Sequence, residues 1–216
     1  MAAAPGQTGV EKIRRRNRWQ IVLLVLLFAA PVIASYYAYY VARPSGRTNF
    51  GTLIEPQRPI PALTATNLAG QPVDLQTLKG QWLLISVGGG ACDAVCQNNL
   101  YLQRQMRESF GKDMARVDWV WLVDDDQPVA PALRDVLKAA IVLRVPAAGL
   151  QQWLTAAPGH PLSDHLYVVD PQGHWMMRFP PKLDKDSAVK ARGDLSKLLR
   201  ISAGWDSAGR ASGAPK

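Results

Sequence analysis

The chain has 216 residues, a formal net charge of +8 and only two cysteines. Five of its 25 basic residues and one of its 17 acidic residues fall within the first 18 positions, which leaves 20 basic and 16 acidic residues in the rest of the chain. No stretch interleaves basic and aromatic residues, and the charge therefore does not predict a nucleic-acid-binding surface. The composition indicates one globular domain that follows a basic and then apolar N-terminal segment.

The N-terminal segment predicts a membrane anchor. Residues 1–10 are polar and predicted to be disordered, within a basic tail that extends to residue 18. Residues 19–42 carry no charge and would span about 36 Å as a helix, enough for a hydrocarbon core of about 30 Å. The excess of basic residues before this span predicts a single pass through the inner membrane, with the N-terminus in the cytoplasm and the domain in the periplasm. The alternative is a signal peptide cleaved before Ser35.

Three further segments are predicted beyond the anchor. Residues 43–61 contain four prolines and predict an extended linker. Residues 62–201 are long enough for one domain with a substantial core. Residues 202–216 are rich in Gly, Ala and Ser and predict a disordered tail.

Strand-like and helix-like patterns alternate within the domain, which predicts an α/β fold whose sheet is covered on both faces. The predicted elements are a hairpin (63–66 and 73–75), a strand (82–87), a helix (94–110), a strand (117–123), a short helix (131–140), two strands (166–169 and 174–179) and a last helix (185–199).

Both cysteines follow the strand 82–87, after three consecutive glycines. Glycine adopts backbone dihedral angles that other residues avoid, so the glycines predict a loop between the strand and the next helix. Cys92 is predicted in this loop and Cys96 in the first turn of the helix. A helix N-terminus stabilises a thiolate, which is both a nucleophile and a soft-metal ligand. Helical residues four apart have Cβ atoms about 5–6 Å apart, whereas a disulfide needs about 3.5–4.5 Å, so closure requires Cys92 to leave helical geometry. The alternative is a structural disulfide, which would stabilise little across so short a loop.

These residues resemble the thioredoxin fold, and within it the Sco/SenC family of membrane-anchored copper proteins that act in cytochrome c oxidase assembly. Cys92 and Cys96 resemble that family's C-x-x-x-C motif, and residues 122–128 resemble its Val-Asp followed by Asp-Thr-Pro. Asp164-His165 and the turn 170–173 resemble its Asp-His before a strand and its Asp-Pro-x-Gly turn. Both prolines of the family's cysteine motif are absent here, and the segment from His165 to the turn is about three residues shorter.

The resemblance implies that Cys92, Cys96 and His165 hold Cu(I), with His160 as the competing third ligand. Asp124, Asp125 and Asp126 are predicted to form a solvated loop, with the orientation of a partner or a metal as the alternative.

Three functions follow from the motif. The first is a Cu(I)-handling assembly factor whose partner is a cytochrome c oxidase subunit or another copper-delivery protein. The second is a thiol–disulfide reductase in which the more exposed Cys92 attacks and Cys96 resolves the mixed disulfide. The third is an interaction module that has neither activity. The cysteine spacing is wider than that of dedicated redox motifs, which ranks copper handling first.

Overall fold

The computed structural model describes residues 7–42, 49–206 and 209, which fall into an N-terminal unit and a larger unit that begins at Asn49. The N-terminal unit is a long helix, α1 (Gln7–Tyr37), continued by a π-helical turn (Ala38–Ala42). Its segment Asn17–Val41 contains an 18-residue window with a mean hydropathy of 2.3 and is long and apolar enough to cross a membrane once. The disorder predicted for residues 1–10 is wrong from Gln7 onward, and residues 1–6 lie outside the described part.

The larger unit is built on one mixed sheet. Its described strands are β1 (Thr52–Pro59), β2 (Thr64–Asn67), β3 (Pro72–Asp74), β4 (Trp82–Gly88), β5 (Val117–Val123), β6 (Ile141–Arg144), β7 (Leu166–Val169) and β8 (His174–Arg178). Its helices are α2 (Ala94–Glu108), α3 (Pro131–Arg134), α4 (Ala147–Trp153) and α5 (Lys185–Ile201). Across the sheet the order is β1-β8-β7-β4-β5-β6-β2-β3. Strands β4, β5 and β6 are parallel, and the other neighbouring pairs are antiparallel.

Strand β4 is buried on both faces, as its continuous apolar run predicts. Successive side chains of a strand point to opposite faces, so Leu83 packs in the cluster that contains Trp153 of α4. The next residue, Leu84, packs in the cluster that contains Met106 of α2 and Leu195 of α5. The predicted α/β fold with helices on both faces is therefore confirmed.

The proline-rich linker predicted for residues 43–61 is wrong from Thr52 onward, because β1 pairs with β8. Strand β1 lies at the edge of the sheet, where proline is tolerated since one side of the strand needs no ladder partner. Residues 43–48 of the predicted linker lie outside the described part.

Two elements between β5 and β7 differ from the sequence prediction. The helix predicted for residues 131–140 is shortened to α3 (Pro131–Arg134). Strand β6 and helix α4 are absent from the sequence prediction, and the seven residues of α4 are too few to show a helical period.

The predicted disordered tail begins with ordered residues. Ser202 is buried, and its Oγ accepts a hydrogen bond from Trp82 Nε1 at 3.1 Å. The carboxylate of Asp206 binds the guanidinium of Arg116, with the shortest N–O distance 2.7 Å. The prediction of disorder is therefore wrong for 202–206, and residues 207–208 and 210–216 lie outside the described part.

Candidate functional site

The two cysteines lie at the junction of β4 and α2, as predicted. Cys92 is in the loop and Cys96 is in the first turn of α2, and the two sulfurs form a disulfide with a Cα–Cα distance of 5.1 Å. Cys92 has a φ of 50°, in the left-handed region that residues with a Cβ rarely adopt. The expectation that closure requires Cys92 to leave helical geometry is thus confirmed.

Asp93 is the N-cap residue of α2 and holds Cys96 in position. Its side chain accepts a hydrogen bond from the Cys96 backbone N–H at 2.9 Å, which satisfies one of the free donors at the helix N-terminus. The Gln97 side-chain amide donates to the Cys92 carbonyl at 2.9 Å. Backbone and side chains therefore hold both ends of the three-residue loop between the sulfurs.

The loop after β5, residues 124–130, is called the acidic loop, and residues 89–93 are called the cysteine loop. Hydrogen bonds join the two loops, so the acidic loop is not simply solvated. Asp125 Oδ1 accepts hydrogen bonds from the backbone N–H groups of Gly90 at 2.8 Å and Gln127 at 3.1 Å. Arg144 of β6 donates to the backbone carbonyls of Asp125 and Gln127. The neighbouring Asp124 is partly buried, and this burial raises the pKa of its carboxyl group. Asp125 is a positioning residue for the cysteine loop.

This contact explains the glycines before the cysteines. A Cβ on Gly89 would lie 2.3 Å from Asp125 Oδ2, and a Cβ on Gly90 would lie 2.1 Å from the Gln127 carbonyl oxygen. Both distances are far shorter than any Cβ contact that proteins tolerate. Consecutive glycines are thus a sequence signal for the close approach of a second backbone segment, a signal that the sequence prediction used only for the loop's own flexibility.

Both sulfurs are shielded from solvent. Cys92 and Cys96 are each 3% exposed and pack in one apolar cluster with Val129 of the acidic loop and with Trp119 and Trp121 of β5. The prediction that Cys92 is the more exposed thiol is therefore wrong for the closed disulfide. Any attack at Cys92 requires a movement that uncovers it.

Neither ring nitrogen of His165 is free to bind a metal at the predicted site. The side chain is completely buried, and its Nδ1 lies 2.8 Å from the Phe179 carbonyl oxygen while its Nε2 lies 3.1 Å from the Ala157 nitrogen. A carbonyl can only accept and an N–H can only donate, so the ring is the neutral Nδ1–H tautomer with both nitrogens engaged. Burial lowers the pKa of His165, with a smaller contribution in the same direction from the nearby Arg178.

The competing ligand, His160, is also engaged elsewhere. Its Nδ1 lies 2.8 Å from Asp164 Oδ2, and its ring stacks edge-on against that of His165. Across the described residues, no group of three or more His, Cys, Asp or Glu is arranged to hold a metal ion. Within the described part of the chain, neither histidine therefore forms a three-ligand group with the two sulfurs.

Residues 82–202 match the family model of the transmembrane-like, thioredoxin-like, C-terminal domain. The chain belongs to this family. Among curated proteins, no sequence matches it. The transmembrane-like thioredoxin-like family assignment agrees with the predicted fold and with the single apolar helix before the domain.

Solved structures of the same fold include both kinds of protein that the sequence suggested. Copper-bound ScoI of Arabidopsis thaliana is 13% identical, with coverage of 70% of this chain and 99% of that chain and a TM-score of 0.50. A candidate protein disulfide isomerase from Bacteroides thetaiotaomicron is 15% identical, with coverage of 72% and 97% and a TM-score of 0.51. Copper-bound yeast Sco1 is 12% identical, with coverage of 72% and 94% and a TM-score of 0.49. At these identities the likeness to the two structures with TM-scores of 0.50 and 0.51 shows the thioredoxin-like fold alone.

One polar group near the cysteines was not singled out by the sequence. Trp121 of β5 is completely buried, and its Nε1 has no hydrogen-bond partner among the described residues. The sequence shows Trp121 only as an apolar residue of a buried strand. Its unpaired donor, in the same cluster as the two cysteines, is visible only in the structure.

Proposed function

We propose that Cys92 and Cys96 form a reversible dithiol–disulfide couple on a membrane-anchored thioredoxin-like domain, and that the reduced domain reduces disulfides in another protein. The observation that carries this proposal is the position of the closed pair at the N-terminus of α2, across a loop of three residues. Such a short loop constrains the unfolded chain little, so a purely structural role gains little from this disulfide.

The proposed reaction needs only the two sulfurs and a disulfide substrate. The Cys92 thiolate attacks one sulfur of the substrate disulfide, and the other substrate sulfur leaves as a thiolate that takes up a proton. The Cys96 thiolate then attacks Cys92, which forms the Cys92–Cys96 disulfide and releases the second substrate thiol. The chain loses two electrons and the substrate gains them. The positive end of α2 favours the thiolate that attacks in each step.

We further propose the compartment and the class of partner. The basic residues before the apolar helix support a periplasmic domain by the positive-inside rule, and the oxidising conditions of that compartment create disulfides that need reduction. The proposed substrates are the copper-ligand cysteines of a cytochrome c oxidase subunit or of another copper-delivery protein, since a thiol must be reduced before it can bind copper. The resemblance to the Sco/SenC sequence motif supports this choice of partner.

A second candidate function is the carriage of Cu(I) as cargo between the two reduced sulfurs. Thiolates are the ligands that Cu(I) prefers, and the reduced chain supplies two of them, Cys92 and Cys96, four residues apart. The predicted third ligand does not fit, because His165 has both ring nitrogens in hydrogen bonds with backbone groups. Cargo binding would therefore rest on Cys92 and Cys96 alone.

Trapping of the reaction intermediate tests the proposed reduction. A Cys96→Ser variant, freshly reduced, is mixed with a peptide whose two cysteines form a disulfide, and the products are separated without reductant. We expect a mixed disulfide between the peptide and Cys92 to accumulate, because no resolving thiol remains. The matched Cys92→Ser variant should trap far less. Equal trapping by both variants, or none by either while the wild type leaves the peptide oxidised, would contradict the proposal.

A further inference from the structure

Trp121 carries a buried donor that has no partner in the oxidised state. The indole is 0% exposed, and its Nε1 makes no hydrogen bond to any described residue. Two residues earlier on the same strand, Trp119 Nε1 donates to Gln103 Oε1 at 3.2 Å. Buried donors almost always find partners, and an unsatisfied one needs an explanation. Two tryptophans in one cluster therefore differ in whether their N–H is paired.

The unpaired N–H and the Cys96 sulfur both lie close to Gly88. A Cβ built on Gly88 of β4 would lie 3.5 Å from Cys96 Sγ and 3.7 Å from Trp121 Nε1. Both atoms therefore border the small space that Gly88 leaves open between β4, β5 and the start of α2. Cys96 is only 3% exposed, so water has little access to its sulfur.

We propose that the Trp121 N–H donates a hydrogen bond to the Cys96 sulfur when the disulfide is reduced. Two thiol sulfurs cannot remain at the distance of an S–S bond, so reduction frees Cys96 Sγ to move within the space beside Gly88. The new hydrogen bond exists only in the reduced state, and it also satisfies the donor that the oxidised state leaves unpaired. Trp121 therefore shifts the equilibrium toward the dithiol. This inference rests on the proposed redox couple, and it adds the residue that sets the balance of that couple.

The balance can be measured against glutathione. Two glutathione molecules supply two electrons and two protons, so that the Cys92–Cys96 disulfide becomes two thiols and the glutathiones become one glutathione disulfide. The full chain in detergent is equilibrated at a series of glutathione ratios under nitrogen, and the remaining free thiols are alkylated and counted by mass spectrometry. The equilibrium constant of this exchange is the quantity that Trp121 is expected to change.

The test variant is Trp121→Phe, which keeps an aromatic ring and removes the N–H. We expect its disulfide to be about tenfold harder to reduce than that of the wild type, since a hydrogen bond has this order of effect. Tenfold corresponds to a reduction potential about 30 mV more negative. The control is Trp119→Phe, which removes the paired N–H of the same cluster. Its hydrogen bond to Gln103 does not involve either sulfur, so this variant should lower the melting temperature and leave the equilibrium constant unchanged.

A second measurement does not depend on whether the variant folds. In the wild-type chain, the Trp121 indole N–H resonance should move downfield on reduction and exchange more slowly with solvent. An unchanged resonance, or equal equilibrium constants for the wild type and Trp121→Phe, overturns the role of Trp121 while the redox couple stands. A wild-type pair that does not exchange with glutathione at all overturns the proposed function itself, and Trp121 then has no redox role to play.

Discussion

The substitution Gly90→Ala tests how the acidic loop controls access to the disulfide. Gly90 lies between the strand and the cysteines, and its N–H donates to Asp125 Oδ1 at 2.8 Å. An added Cβ would lie 2.1 Å from the backbone carbonyl oxygen of Gln127 and 3.2 Å from the Pro128 carbonyl carbon. Because both obstacles are backbone atoms, the acidic loop must move as a segment and cannot adjust by a side-chain rotation.

The magnitude follows from the contacts that this movement breaks. A hydrogen bond to a charged group contributes about 1.5–3 kcal/mol, and the loss of the Asp125 contact falls in this range. Alanine offsets about 0.4–1 kcal/mol by restricting the unfolded chain. We therefore expect the free energy of unfolding to fall by about 1–2 kcal/mol. Val129, on the moving loop, packs with Cys92, so the same movement should expose the disulfide and accelerate its reduction several-fold.

The assay uses the oxidised unit that begins at Asn49, which contains its own sheet and core. Urea denaturation gives the free energy of unfolding, and the release of thiols under excess dithiothreitol gives the rate of reduction. The matched control is Gly193→Ala in α5, where no atom lies within 4 Å of the added Cβ. The control should gain about 0.5–1 kcal/mol and keep the wild-type rate. If Gly90→Ala behaves like this control, the acidic loop does not cover the sulfurs.

Three further predictions concern the buried histidine, copper and topology. Because burial lowers the pKa of His165, the unfolded chain binds its proton first, and the free energy of unfolding should fall as the pH drops below about 6.5, by up to about 1.4 kcal/mol per pH unit. His165→Gln should flatten this slope in urea titrations whereas His174→Gln keeps it; a slope that survives in His165→Gln would contradict the assignment. In anaerobic Cu(I) titrations against a chelator, the reduced domain should bind at most one ion through Cys92 and Cys96, and His165→Gln should not weaken it; weaker binding would mean that the ring turns to the metal. A reporter that is active only outside the cytoplasm, fused after Ile60, should be active, and an inactive fusion beside an active cytoplasmic reporter would reverse the proposed orientation.

The sequence predicts the centre of the fold well because its signals there are strong. Strand β4 is a continuous apolar run, and the loop glycines mark the break between β4 and α2. At the edge of the sheet the signals compete, since the prolines of β1 indicate a linker until the pairing with β8 is known. A local sequence pattern does not show which distant strand pairs with β1.

The sequence predicts where the two sulfurs of the candidate site lie, but it does not predict the roles of the residues around them. The apolar strand, the glycines after it and the helical run that follows predict where Cys92 and Cys96 lie, because these signals are local in the sequence. The role of His165 could not be read locally, because its two hydrogen-bond partners are the backbone groups of Ala157 and Phe179. The same is true of Asp125, whose partner Gly90 lies 35 residues away. Contacts across the sheet decide both roles.

The reduction potential of the Cys92–Cys96 pair tests the proposed function most directly. The oxidised chain is equilibrated in dithiothreitol and glutathione buffers of known potential, and free thiols are counted after alkylation. Structural disulfides have potentials below about −300 mV. Since the three-residue loop adds little to stability and the start of α2 favours the thiolate, we expect one two-electron transition above about −300 mV. A pair that stays oxidised below that value would be a structural disulfide, and the proposed reduction of a partner protein would be wrong.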